Sequence, residues 1–115
     1  MKYLCLIYAD ESRRLTATKE EAAAMWDAYM SFGEDIKKSG HWLAGDALQP
    51  TSATTVVRVR DGKMSTTDGP FIETKEQLGG YYLVEAKDLN EAIQVASRIP
   101  GAKVGAIEVR PIRGM

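Results

Sequence analysis

Residues 3–8 of the chain (YLCLIY) constrain its fold most, because all of their side chains are apolar or aromatic. A β-strand with one face in water alternates apolar and polar residues, whereas a strand covered on both faces is apolar throughout. In a small domain, one layer of helices covers only one face of a sheet. We therefore predict a buried first strand whose second face is covered by another copy of the chain.

Two capping signals predict where helices begin. Thr18 with Glu21 forms a capping box: the threonine hydroxyl accepts a hydrogen bond from the third helical N–H, and the glutamate carboxylate accepts one from the threonine N–H. Asp88 with Glu91 repeats this pattern later in the chain. Gly33 falls inside the first helix and indicates a close neighbouring backbone. The residues expected to face the core are Ala22, Met25, Trp26, Tyr29, Phe32, Gly33 and Ile36 in the first helix and Leu89, Ala92, Ile93, Ala96 and Ile99 in the second.

Asp61-Gly62 lies between two strand-like segments, 54–60 and 63–67, and is the strongest hairpin signal in the chain. Residues 57–60 (VRVR) alternate, so the two arginines share one face of the hairpin and the two valines the other. Further strands are predicted at 41–48, 81–86 and 104–110. The predicted class is therefore α+β: a ferredoxin-like βαββαβ sandwich with an inserted β-hairpin.

Residues 67–80 (TDGPFIETKEQLGG) link the hairpin to the next strand and begin with a forced turn. Glycine tolerates positive φ and proline fixes its own φ, so Asp68-Gly69-Pro70 restricts the direction in which the chain leaves the hairpin. Residues 68–82 resemble the signature of the DGPF-domain, YCII-related proteins. Weaker matches to that family at 2–8, 43–50, 55–62 and 99–111 extend the resemblance over nearly the whole chain. It implies a single YCII-related domain over residues 1–115 that pairs with a second copy as a dimeric α/β barrel.

Composition excludes several classes of protein. The formal net charge is −1, from 15 basic and 16 acidic residues, so a basic face for nucleic acid is not expected. Cys5 is the only cysteine, which rules out an intrachain disulfide and favours a reducing cytoplasm. The apolar run at residues 3–9 is too short for a membrane span. We expect a cytoplasmic homodimer with neither nucleic-acid nor membrane partners.

Two residues are candidates for acid–base catalysis. Asp68 precedes the Gly-Pro turn, where its carboxylate either caps the N–H groups of that turn or serves as a general base at the rim of the sheet. His41, the only histidine, follows the predicted end of the first helix and is either a structural or a catalytic residue. The resemblance implies a histidine–aspartate pair in some YCII-related proteins, but no histidine of this chain matches it.

A small ligand has several candidate contacts. Glu73, Lys75 and Gln77 alternate after the turn, so in an extended segment they project to one side, either as a site for a polar acid or zwitterion or as a solvated edge. The hairpin and its neighbouring strands supply Asp46, Arg58, Arg60, Tyr81 and Glu108 as polar contacts, with Tyr8, Trp42 and Tyr81 as aromatic walls. Alternatively, these charges pair with each other at the seam of the dimer.

No metal or cofactor site is predicted. One histidine and one cysteine are too few to form a zinc site, and the carboxylates lack the spacing of a calcium-binding loop. Gly79-Gly80 precedes a strand instead of a helix, so it does not match a phosphate-binding loop.

Two functions fit the sequence. The first is binding of a small polar organic ligand in a cavity of the dimer, with weak acid–base chemistry. The second is a non-enzymatic interaction or regulatory role, since the resemblance includes proteins associated with extracytoplasmic-function sigma factors.

Overall fold

The structure, a computed structural model, describes residues 1–114 and confirms the predicted fold class. Its main sheet has the strand order β2-β5-β1-β6, and all neighbouring strands are antiparallel. With two long helices on one face, this is the ferredoxin-like sandwich. The elements are β1 (Lys2–Ala9), α1 (Ser12–Thr16), α2 (Lys19–Lys38), β2 (Trp42–Ala47), β3 (Thr55–Arg60), β4 (Lys63–Asp68), β5 (Gln77–Glu85), α3 (Leu89–Ser97) and β6 (Ala106–Pro111), with 3-10 turns at Thr51–Ala53 and Pro100–Lys103.

Both long helices begin where the capping signals place them. The Glu21 backbone N–H donates to Thr18 Oγ1 at 3.1 Å, and Glu21 Oε1 accepts from the Thr18 N–H at 3.0 Å. In α3, the Glu91 N–H donates to Asp88 Oδ1 at 2.9 Å. Within residues 1–114, no helix is both long and apolar enough to cross a membrane.

The first strand divides its apolar side chains between the two faces of the sheet. Tyr3, Cys5 and Ile7 are buried against the helices, whereas Leu4, Leu6 and Tyr8 point away from them and are half-buried. The core on the helical side also contains Phe32, Ile36, Val84, Ala86, Ala92, Val95, Ala96 and Ile99. The helices thus cover one face only, as expected for a single helical layer.

The helical stripes differ from the prediction in two places. In α2 only Phe32 and Ile36 are fully buried, while Met25 and Trp26 are exposed. This helix has 20 residues and is therefore about 30 Å long, and its first half extends past the packed core. In α3, Val95 is buried in place of the expected Leu89 and Ile93, because the helix turns a different stripe toward β6.

The hairpin forms a sheet of its own. Strands β3 and β4 pair from Thr55 with Asp68 to Arg60 with Lys63, and Asp61 and Gly62 have φ of 51° and 74°. Two positive φ values at the centre of a two-residue loop define the type I′ turn that suits the twist of a hairpin. We call residues 55–68 the arm.

Gly45 and Gly33 have opposite surroundings. A Cβ at Gly45 would lie 2.6 Å from Tyr82 Cδ1 and 3.0 Å from the Tyr81 carbonyl oxygen, so the crowded contact predicted in β2 is present. A Cβ at Gly33 would meet nothing within 4 Å, so the close backbone predicted there is absent from the described residues. The crowded surroundings of residue 45 therefore require glycine, whereas nothing in the described residues requires glycine at residue 33.

These two glycines give a matched test of the packing. We expect Gly45→Ala to lower the free energy of unfolding by about 1–3 kcal/mol, because the added methyl overpacks the sheet. Gly33→Ala should raise it by up to about 1 kcal/mol through helix propensity. Urea unfolding followed by circular dichroism measures both, and a Gly45→Ala protein as stable as Gly33→Ala would contradict the packing at β2.

Candidate functional site

The face of the main sheet that points away from the helices carries the most organised set of polar groups, and we call it the open face. Its residues are fixed by strand register, since directly paired residues project to the same side. Tyr81 pairs with both Asp46 and Leu6, and Leu6 pairs in turn with Glu108. The next row along the strands contains Ala44, Leu83, Leu4 and Arg110.

The open face has an apolar middle and polar edges. Leu4, Leu6 and Leu83 lie on the two central strands and are half-buried. The outer strands β2 and β6 carry Asp46 on one side and Glu108 on the other, which places the two carboxylates roughly 14 Å apart at the usual strand spacing. An apolar floor between oriented polar groups is the usual composition of a small-molecule site.

At the β2 edge, Asp46 and Tyr81 form a hydrogen bond. Tyr81 Oη donates to Asp46 Oδ2 at 2.9 Å. This bond raises the pKa of the Tyr81 phenol, and the negative charge of Asp46 and the lost hydration add to the effect. The phenol therefore keeps its proton and donates it to Asp46, so the pair offers a ligand the remaining acceptor sites of the hydroxyl and of the carboxylate.

At the opposite edge, the Arg110 guanidinium donates to the Glu108 carboxylate. The two residues are two positions apart on β6 and therefore share the open face. Arg110 was missed by the sequence analysis, although its alternation with Glu108 placed it on the same face. The sequence left open a different pairing, of Glu108 and Asp46 with the arginines of the hairpin at the seam of a dimer, which stays a prediction.

Three of the predicted site residues, Arg58, Arg60 and Asp68, lie on the arm instead of the open face. Arg58 is half-buried in β3, and its guanidinium carbon lies 5.5 Å from the centre of the Phe71 ring. Asp68 ends β4 opposite Thr55 and is exposed. The turn after it forms as predicted, with Gly69 at φ 97° and the Gly69 N–H donating to the Thr54 carbonyl at 2.8 Å. Among the described residues, the Asp68 carboxylate accepts no hydrogen bond, so the predicted cap is absent.

The residues that follow the turn do not form the expected row. Residues 71–76 are bent, and Gln77 folds back, with Nε2 donating to the Thr74 carbonyl at 2.6 Å and the Ile72 carbonyl at 3.4 Å. Lys75 lines a groove of about 350 Å³ beside Asp10 and Arg13, while Glu73 is exposed. The alternation argument for Glu73, Lys75 and Gln77 is therefore wrong, because it required an extended segment.

His41 and Trp42 lie on the helical side of the sheet. His41 Nδ1 is 2.6 Å from Ser39 Oγ, and its Nε2 is 2.8 Å from Glu91 Oε1, so the ring joins the end of α2 to the start of α3. Trp42 meets the Tyr82 ring edge-on, and the Lys37 ammonium lies 4.7 Å from the indole centre. The register shift between Trp42 and Ala44 interrupts the alternation, which is why Trp42 is not the predicted wall of the open face.

A second groove, of about 610 Å³, also lies on the helical side, between α2 and the Pro100–Lys103 turn. Its lining is largely apolar and its rim carries Glu21, Asp35, Arg98 and Lys103. None of these rim groups is held in a hydrogen bond across the groove, so the open face remains the better candidate site.

Known families and structures agree with this fold. The family model of the YCII-related domain matches residues 1–115. The chain belongs to the YCII-related family. A relative that is itself described as an uncharacterised protein, from Rhizobium meliloti (strain 1021), is 35% identical over 114 residues, which cover 97% of this YCII-related chain and 92% of the relative.

A solved structure extends the comparison. The YCII-related chain is similar to 5-chloro-2-hydroxyhydroquinone dehydrochlorinase from Burkholderia phenoliruptrix AC1100, solved in complex with 2,5-dihydroxybenzoquinone. The TM-score is 0.57 with 14% sequence identity, over 98% of this chain and 94% of the other. At that identity the likeness supports the fold.

Substitution of Asp46 tests the pair at the β2 edge. We expect Asp46→Asn to lower the pKa of Tyr81 toward that of an ordinary tyrosine, because the charged acceptor is removed. NMR titration of ring-labelled tyrosine measures this, and Tyr82, whose pKa burial raises to about 12, serves as an internal reference. Asp61→Asn, at the tip of the arm, should leave the Tyr81 titration unchanged. An identical Tyr81 curve in the wild type and Asp46→Asn would contradict the hydrogen bond.

Proposed function

We propose that two copies of the chain pair through their open faces and hold a small polar organic ligand in the cavity between them. The observation that carries this proposal is the arrangement of the open face itself. Its apolar middle is only half-buried in one chain, and its polar groups are concentrated at the two edges. A second sheet laid across this face buries the leucines and leaves the edge groups pointing into the enclosed space.

The amount of exposed surface supports a partner of this kind. The chain has 8421 Å² of accessible surface, whereas a compact monomer of this mass has about 6,200 Å². Its radius of gyration is 16.1 Å, against about 13 Å for a compact domain of this length. The surplus of roughly 2,200 Å² exceeds the roughly 800 Å² that each partner loses in a standard interface.

The chemistry of the edges indicates the class of ligand. Leu6 and Tyr8 provide apolar and aromatic surface for a ring or a short carbon chain, while the hydrogen-bonded pair of Tyr81 and Asp46 offers acceptor oxygens to a ligand hydroxyl. Arg110 adds a cation that suits an oxo, phenolate or carboxylate oxygen. The ligand of the structurally similar dehydrochlorinase, 2,5-dihydroxybenzoquinone, is a ring that carries hydroxyl and oxo groups of this kind. We therefore propose a small oxygenated ring compound or organic acid.

Acid–base chemistry in this proposal belongs to Asp46 and Tyr81. The carboxylate accepts a proton from an acidic hydroxyl of the ligand. The Tyr81 O–H, which donates to Asp46 in the structure, then turns to the ligand oxygen where charge remains, because protonated Asp46 no longer holds it. His41 lies behind the sheet in its own chain and has no contact with the open face. Of the two residues first proposed for catalysis, only Asp68 remains a candidate for the cavity, through the position of the arm.

The interaction role is retained as a second function because the arm and the turn after it expose apolar side chains. Val57, Val59 and Met64 share one face of the arm and are all more than half exposed. Large exposed apolar residues close together mark a protein-binding surface more often than a solvated one. If no oxygenated small molecule stabilises the protein, a protein partner for this surface becomes the better proposal.

Pairing through the open face is tested by its central leucine. We expect the wild type to sediment as a dimer at micromolar concentration and Leu6→Asp to sediment as a monomer, because a carboxylate in the middle of the interface loses its hydration. Leu89→Asp, on the exposed first turn of α3, is the matched control and should remain a dimer. A dimeric Leu6→Asp protein would place the interface elsewhere.

Ligand binding is tested with 2,5-dihydroxybenzoquinone in a calorimetric titration and a thermal shift assay. We expect binding to the wild type, with a loss of affinity of about tenfold in Asp46→Asn and in Tyr81→Phe, since each removes one hydrogen-bonding group from the cavity. Asp61→Asn should bind as the wild type does. Equal affinity in Asp46→Asn and the wild type would remove the β2 edge from the site.

A further inference from the structure

The arm projects from the body of the protein and is fixed only at its root. In residues 1–114, β3 and β4 pair with each other and with no other strand. At the root, the Glu11 carboxylate accepts from the Thr51 N–H at 2.8 Å and from Thr51 Oγ1 at 2.7 Å. The Gly69 N–H closes the other side through the Thr54 carbonyl. The arm therefore has a defined direction, although little of it packs on its own chain.

The two faces of the arm differ in how far their side chains are buried. On one face Val56 and Arg58 are half-buried, and Phe71 stacks against the guanidinium. On the other face Val57 and Val59 are each 58% exposed and Met64 is 71% exposed. Register puts Met64 directly opposite Val59, so these three side chains form one continuous apolar surface, which we call the valine face.

A two-stranded ribbon is marginally stable in water unless a third strand or another surface packs against it. No described residue of its own chain covers the valine face, although valine and methionine side chains are normally buried. Arg58, Arg60 and Lys63 lie on the opposite face of the ribbon, so the valine face itself is apolar from Val57 to Met64. A partner for the valine face therefore needs exposed apolar surface.

We propose that the valine face packs on a second copy of the same chain, so that each arm clasps the other subunit. This proposal rests on the homodimer proposed above. The arm leaves the body at the end of the β2–β5 pair, whose hydrogen bonding continues to the root through the Leu48 N–H and the Gly79 carbonyl at 2.9 Å. The arm is thus continuous with the β2 edge of the main sheet, beside the open face.

The second copy also has surface of the required chemistry. Trp26 is 68% exposed and Met30 is half exposed on α2. These exposed apolar side chains are surface of the kind that the valine face needs for cover. Surplus accessible surface of the size found here is enough for both the open face and the arm to be covered by one partner.

One consequence concerns the signature turn. Thr55, Thr66 and Asp68 share the valine face and lie at its root, nearest the main sheet. A subunit that covers the valine face therefore brings the Asp68 carboxylate to the seam between the two chains. Asp68 then belongs to a site that only the dimer completes.

The test compares two double variants of the arm by sedimentation. Val57→Asp with Val59→Asp places charge on the valine face, and Ser65→Asp with Thr67→Asp places the same charge on the opposite face of the same ribbon. We expect the first pair to weaken dimerisation by about 100-fold or more, and the second to change it by less than about threefold. Circular dichroism checks that both proteins keep their fold.

A second measurement covers the case in which the charged ribbon unfolds. Cys5 is fully buried and its thiol pKa is raised to about 11 by burial, so a maleimide dye reacts selectively with a cysteine introduced on the arm. Dye on the Val59→Cys variant should shift its emission to the blue as concentration drives dimer formation, and dye on the Ser65→Cys variant should not.

The outcomes separate this inference from the proposed function. If Leu6→Asp gives a monomer while the valine-face variant dimerises as tightly as its control and the dye on Val59→Cys does not respond, the arm does not clasp a second copy and the open-face dimer stands. If the wild type is monomeric at every concentration, both proposals fail.

Discussion

The packing of the central strand β1 determines which face of the sheet is buried by helices and which face stays open. β1 lies between β5 and β6, and its side chains alternate between a helical layer and a face that the chain itself leaves half-covered. Tyr3, Cys5 and Ile7 enter the core, which fixes the sheet against α2 and α3. Leu4 and Leu6 then necessarily point the other way, because the side-chain period of a strand is two. The open face is thus a direct result of how the core is built.

Much of the fold follows from local signals. Thr18 and Asp88 begin helices because a side chain satisfies a free backbone N–H a few residues away, and Asp61-Gly62 makes a turn because the required backbone angles are local. The predictions are wrong where a contact with residues distant in sequence determines which way a side chain points. A register shift in β2 turns Trp42 to the helical side, and packing against β6 selects Val95 over Ile93. Neither effect is visible in the periodicity of a single segment.

The candidate site shows the same limit. Asp46, Tyr81 and Glu108 were each predicted as contacts, and register brings them onto one face. The hydrogen bond from Tyr81 to Asp46 joins residues 35 positions apart, and only strand pairing reveals it. For Gln77 the alternation rule failed, because its amide satisfies two backbone carbonyls of a bent segment instead of projecting into a cleft. Asp68 and Arg58 lie on the arm, away from this face.

Alternation along β1 and β5 also separates two kinds of mutational change. Every second residue packs into the helical core, and the residues between them lie on the open face, where we propose that the ligand binds. Replacements at the recognition positions leave the core untouched, so members of such a family are free to diverge in what they bind while their stability is preserved. The pleat of the sheet is thus a source of evolvability.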